Sequence, residues 1–321
     1  MRYRSISTLI TFVALVPVMA AAQSTTAGPP RTAWGDPDLG GVWDFRTITP
    51  LERPRDLGDQ EFLTEEEAAA KEQEAVERDV RSNNAPARRA EAGQNVGAYN
   101  RFWMDFGTEV VETRRTSLIV DPPNGRRPPM TPEAQEAASK RPRWGQEPPP
   151  DTYTDLSLFD RCIGTMALPI YPIAYNNNVQ MFQTPDYVAL WVEMMASTRI
   201  IPLDGRPHGK LPQSLGDSRG HWEGDTLVVE TTNFAHGLTL IGASRNARRL
   251  VERFTRVSPE LVEYTFTIYD PATWTHPWTA VQTFRKATEP VFEYACHEGN
   301  YAIPNILAGA RRGELAERAG G

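Results

Sequence analysis

Between residues 261 and 270 the chain alternates without a break. Val262, Tyr264, Phe266 and Ile268 occupy one side, and Glu263, Thr265, Thr267 and Tyr269 the other. A period of two suits a strand with one buried face and does not fit the 3.6-residue period of a helix. The same kind of segment recurs from residue 178 onward. Residues 179–183 and 187–194 flank Thr184-Pro185-Asp186, and 199–204 follow a short turn. His221-Trp222 and 226–233 flank Glu223-Gly224-Asp225, whose Gly-Asp pair supplies hairpin chemistry. Residues 250–257 and 261–270 flank Ser258-Pro259-Glu260, and 278–285 and 291–296 close the series. Eight or more antiparallel strands in meander order predict a mainly β protein, barrel-like or with a strongly curved sheet. The 27 Pro, 23 Gly and 8 Trp agree with many short strands and turns rather than a helical bundle.

Before that series the pattern is different. Residues 36–43 lead into a short strand, and 63–81 form the clearest helix, with Thr64 as cap and Glu67 as its capping-box partner. Residues 83–97 read as a loop. Residues 116–120 alternate as a strand and run into the turn Asp121-Pro122-Pro123-Asn124-Gly125. Thr131-Pro132-Glu133 opens a second, short helix, with proline at its first position. Residues 141–150 are proline-rich and irregular, and 306–318 predict a terminal helix. The resulting division is 1–22, a signal peptide; 23–33, a linker; 34–150, an N-terminal strand with a helical and irregular wrap; and 151–321, a barrel-like core.

The leader carries Arg2 and Arg4, then no charge from Ser5 to Pro30. Its apolar run over residues 9–19 is broken by Pro17, and Ala20-Ala21-Ala22 offers an A-x-A cleavage site. The expected location is periplasmic or secreted, with cleavage near Ala22 and no membrane span in the mature chain. Cleavage removes two cations, taking the formal charge of −7 to −9 on 299 residues. An acidic surface argues against nucleic acid as a partner, because phosphates demand a basic face. A small-molecule ligand or substrate is the expected partner, and the sequence sets no oligomeric state. In an oxidising compartment the only two cysteines, Cys162 and Cys296, are expected to form a disulfide. No G-x-G-x-x-G or P-loop pattern supports a nucleotide cofactor, and none is expected.

Four segments are distinctive: RTSLIVDPP at 115–123, RIIPLDGRPH at 199–208, GDSRGHWEGDTLVVETTNF at 216–234 and YACHEGNY at 294–301. Together they resemble a large uncharacterised family of exported bacterial proteins, over nearly the whole chain after the leader. The resemblance implies family membership and export, and no particular activity. Gly41-Val42-Trp43 separately resembles the G-x-W that opens lipocalin barrels, a tripeptide that any buried strand bearing a Trp can also contain.

Ionisable groups crowd the strand ends and loops, where binding and catalysis concentrate. The expected function is an acid–base enzyme of the hydrolase, lyase or isomerase range, acting in a polar pocket. His221 or His297 would be the base, Glu223 its carboxylate, and Arg199 the group that stabilises negative charge. His208, Asp204, Glu298 and Tyr301 would bind. His208, His221 and His297 also suit a metal, but no H-E-x-x-H or similar spacing is present, and none is expected. Ser218 lies in G-x-S-x-G letters without the strand-to-helix turn that would make it a nucleophile. Two other readings stand beside the enzyme: a lipocalin-like carrier without turnover, and a structural envelope protein. Structural roles are open too. Glu223-Gly224-Asp225 suits a tight turn for its own sake. Arg199, Arg249 and Arg253 can pair with Glu193, Glu230 and Glu252 as solvated ladders, and Trp222, Trp274 and Trp278 suit a core. If charges such as Arg199, Glu230, His297 and Glu298 do point into a barrel, pairing or a polar ligand must compensate them. A barrel of about eight strands holds one small ligand.

Overall fold

A computed structural model describes residues 29–84, 104–140, 148–164, 168–235, 244 and 248–320. The signal peptide, most of the linker, residues 85–97 of the expected loop, residues 141–147 and His236 lie outside the described residues.

The described chain forms a single antiparallel sheet of ten strands. They are β1 (Gly41–Asp44), β2 (Ile119–Asp121), β3 (Asn178–Gln183), β4 (Tyr187–Val192), β5 (Ser197–Pro202), β6 (Asp217–Glu223), β7 (Thr226–Thr232), β8 (Arg249–Ser258), β9 (Leu261–Tyr269) and β10 (Trp278–Lys286). The order across the sheet is β5-β4-β3-β1-β10-β9-β8-β7-β6, with β2 added to β10. Two meanders, β3 to β5 and β6 to β10, are thus joined by β1, a four-residue strand from the N-terminal region. The free edges of β5 and β6 come together. A Cβ placed on Gly220 of β6 would stand 2.8 Å from both Ile201 Cγ2 and Leu203 Cδ2, so the sheet is nearly closed into a barrel.

The alternation in β9 places Val262, Tyr264, Phe266 and Ile268 inside, each at most 1% exposed. Register then stacks aromatic rings from neighbouring strands. Tyr264 lies opposite Phe254 of β8, and their ring centroids are 4.8 Å apart. Tyr264 and Phe284 are stacked at 4.9 Å. Phe45, Trp43, Trp274 and Trp278 are also fully buried. The interior is therefore filled by side chains, and Trp274 and Trp278 belong to that core. Trp43 has its indole N–H on the Leu39 carbonyl at 2.9 Å, and the Arg256 guanidinium lies 5.1 Å from its ring centroid. This contact fixes β1 against the end of β8.

Three helices flank the sheet: α1 (Glu65–Asn83), α2 (Pro132–Ser139) and α3 (Ala302–Gly320). Thr64 caps α1 through the expected capping box with Glu67. Thr131 Oγ1 caps α2 by accepting from Ala134 N at 3.2 Å. No described helix is long and apolar enough to cross a membrane.

Two strands differ from expectation. The one expected over 116–120 starts only at Ile119, because Thr116 and Ser117 are buried and spend their hydroxyls on the Gln60 and Ile119 carbonyls. Residues 291–296 form no strand. Pro290 offers no N–H, and the N–H of Phe292 is taken by the side chain of Glu193 at 3.1 Å. This segment crosses the end of the barrel instead.

Candidate functional site

The residues singled out from sequence fall in four separate places. Arg199 is inside the barrel. Its Nη2 donates to Glu252 Oε1 at 2.9 Å and its Nη1 to Glu252 Oε2. Tyr264 donates to the same carboxylate at 2.7 Å and accepts from the Ile170 N–H at 3.1 Å. Burial and the adjacent Glu252 push the Tyr264 phenol well above its ordinary pKa, so it remains a donor. Arg199, expected as the group that stabilises negative charge or alternatively as part of a solvated ladder, is thus held in a buried ion pair inside the barrel.

His208 and Asp204 lie on the loop between β5 and β6. His208 Nδ1 is 3.2 Å from Asp217 Oδ2, and its Nε2 is 3.5 Å from Glu230 Oε1. Glu230 in turn pairs with Arg249 at 2.6 Å, the one ladder of the expected set that forms as written. Asp204 folds back on its own loop, accepting from the Arg206 backbone N–H at 3.2 Å and pairing with its guanidinium. The Arg206 side chain holds the Asp204 carboxyl below its ordinary range.

His221 and Glu223 are on the outer face of β6. His221 Nε2 lies 3.1 Å from Glu223 Oε1, and Arg253 lies 3.0 Å from the other oxygen. The hydrogen bonds from His221 and Arg253 lower the Glu223 carboxyl, yet both members of the pair are more than half-exposed or close to it. Asp217 and His221 are four residues apart on one strand, roughly 13 Å. His297, Glu298 and Tyr301 flank the disulfide between Cys162 and Cys296, whose sulfurs are bonded at 2.08 Å. His297 Nε2 is 3.2 Å from the Cys162 carbonyl, while Glu298 and Tyr301 are exposed. The three histidines therefore do not converge, and none lines a described cavity.

A different place concentrates polar chemistry. One end of the barrel opens into a cleft of about 710 Å³ between the C-terminal ends of β1 and β10 and the start of β3. It is bordered by Asp44, Arg46, Asp105, Asn176, Asn178, Glu193, Arg285, Lys286, Phe292 and Tyr294. A smaller annex of about 360 Å³ continues past Arg46 and Asp105 toward Gly107 and Glu109. Asn177, fully buried, positions this wall by donating to the Asp105 carbonyl at 2.6 Å and the Ile173 carbonyl at 2.9 Å.

Glu193 sits directly after β4 and is 3% exposed. Its Oε2 accepts from Asn178 Nδ2 at 2.8 Å and its Oε1 from the Phe292 N–H at 3.1 Å. Both donors are neutral, and no ion pair reaches this carboxylate among the described residues. The two guanidinium groups of the cleft are committed. Arg46 is held by Asp44 at 2.7 Å and by Asp105 at 2.6 Å, and those bonds raise the guanidinium above its ordinary range against the cost of burial. Arg285 is held by Glu112 at 2.8 Å and Glu109 at 3.2 Å.

The backbone around Glu193 is strained. Asn176, Met195 and Ala196 have φ of 59°, 60° and 46°, a region costly for residues with a Cβ. Such residues gather where the surroundings hold a functional geometry in place. Among the described residues, no group of three or more His, Cys, Asp or Glu is placed to hold a metal.

The sequence offers Glu193 only as one of three carboxylates able to pair with arginines in solvated ladders, not as a site residue. The overlooked signal was a lone carboxylate closing the apolar run Leu190-Trp191-Val192 and preceding Met194-Met195. Compared with known protein families, with curated proteins and with solved structures, the chain matches none of them.

Proposed function

We propose that this is an exported small-molecule enzyme whose site is the barrel-end cleft and whose acid–base group is Glu193. The single observation that carries the reading is a buried carboxylate, held by two neutral donors and free of a cationic partner, on the wall of a 710 Å³ cleft. A carboxylate fixed in this way on a cleft wall is placed to exchange a proton with a bound compound, which is the geometric requirement of an acid–base group. It takes the proton of a bound substrate O–H or C–H on an Oε lone pair and returns it later in turnover. The strained residues beside it support a preorganised site. The cleft is open and polar, which suits a small polar substrate better than an apolar cargo. The aromatic packing inside the barrel speaks against a lipocalin-like carrier that uses the interior. Export is supported by the leader and the disulfide.

The test screens the mature protein for turnover of small polar compounds and repeats any hit with Glu193→Gln. A kcat reduced by about 10² or more, with an unchanged melting temperature, is the expected result. A folded Glu193→Gln protein with full turnover would remove Glu193 from the chemistry.

A further inference from the structure

We infer that the compound accepted by the cleft is a small organic cation, an amine or a quaternary ammonium. The inference rests on the assignment of the site to the Glu193 cleft. It follows from which charges there are already neutralised. Each guanidinium on the wall is engaged by two carboxylates, Arg46 by Asp44 and Asp105 and Arg285 by Glu109 and Glu112. Neither is free to bind an anion, and an incoming carboxylate or phosphate would meet those acidic partners first. Among the charged residues that line the cleft, Glu193 is buried and makes no ion pair. A buried carboxylate is costly unless something compensates it, and a cation entering the cleft would do so.

The aromatic lining points the same way. Tyr175, Phe292 and Tyr294 border the cleft. Aromatic faces attract organic cations and offer no comparable attraction to anions. Lys286 is exposed at the rim and makes no ion pair among the described residues. It is one cation of the lining, and Asp44, Asp105, Glu193 and Glu289 with the Glu109 and Glu112 partners of Arg285 outnumber it together with Arg46 and Arg285, so the cleft stays acidic.

Three probes of one shape and different charge test this: benzylammonium, benzyl alcohol and benzoate, titrated into the isotopically labelled mature protein. The readout is the NMR shift of the Asn178 side-chain amide and the Phe292 backbone amide, the two donors to Glu193. Benzylammonium should shift both, with an affinity at least ten-fold above that of benzoate. Glu193→Gln, checked for an unchanged melting temperature, should erase that preference. If benzyl alcohol or benzoate shifts these signals as strongly as the cation does, the cationic class is wrong while the site stands. If none of the three shifts them, both the class and the site are wrong.

Discussion

Arg199 on β5 and Glu252 on β8 face each other across the barrel interior as a two-bond ion pair, with side chains 2% and 0% exposed. Tyr264 seals the carboxylate from the third side. Breaking such a pair leaves a buried charge without a partner, which costs about 3–5 kcal/mol, whereas replacing both members with apolar residues is close to neutral. Arg199→Met and Glu252→Leu should therefore each destabilise strongly in urea unfolding, and the double variant should be much more stable than either. Additive losses in the double variant would mean that the two charges act independently.

The seam between β5 and β6 closes because Gly220 has no side chain. A Cβ there meets Ile201 and Leu203 at 2.8 Å, closer than ordinary packing allows. Gly220→Val should wedge the seam and cost about 1–3 kcal/mol, with faster amide exchange in β5 and β6 than in β9. Unchanged exchange at the seam would show that the edges are not in contact in solution.

The strand pattern was readable because one-sided burial writes itself as a period of two. Val262 to Ile268 did so, as did the Thr64–Glu67 capping box, whose partners are three residues apart. Local chemistry of that kind needs no knowledge of the rest of the chain. The pairing of Cys162 with Cys296 followed from there being only two cysteines. The place of β1 between β3 and β10 was not legible, since four residues carry no record of their neighbours. Nor was the cleft. Asp44, Asp105, Glu193 and Phe292 are far apart in sequence and meet only through closure of the sheet. His208, His221 and His297 attracted attention by residue type, yet type says nothing of which face of a strand or side of a barrel a residue occupies. The expected strand over 291–296 failed for a related reason, because a side chain from β4's end captured the Phe292 N–H.

Asp217 ties the His208 loop to β6. Burial pushes its carboxyl up, but the Gly209 N–H at 2.7 Å, Arg219 and His208 outweigh that and hold it below the ordinary carboxylate range. A lowered folded-state pKa contributes stability that is present above the unfolded value of about 3.9 and is lost as pH falls through the folded value. Asp217→Asn should thus cost about 1–3 kcal/mol at neutral pH, and the gap to the parent protein should shrink below about pH 4. A gap independent of pH would assign the effect to packing rather than charge.

The segment from Ala287 to Tyr301 crosses the cleft and is fastened at few points. Phe292 N–H bonds Glu193, His297 Nε2 is 3.2 Å from the Cys162 carbonyl, Asn300 Nδ2 donates to Cys162 Sγ at 2.9 Å, and the disulfide is the covalent anchor. The bridge closes a loop with a sequence separation of 134, worth about 5 kcal/mol on the chain-entropy model. Replacing both cysteines by alanine should lower the urea midpoint. It should also free the crossing segment locally, because His297 and Asn300 grip residues that the bridge itself holds in place. Amide exchange at residues 292–296 should then accelerate by a larger factor than exchange in β8 and β9, whose ladders do not depend on the bridge. Equal acceleration everywhere would mean that the bridge stabilises only the global fold.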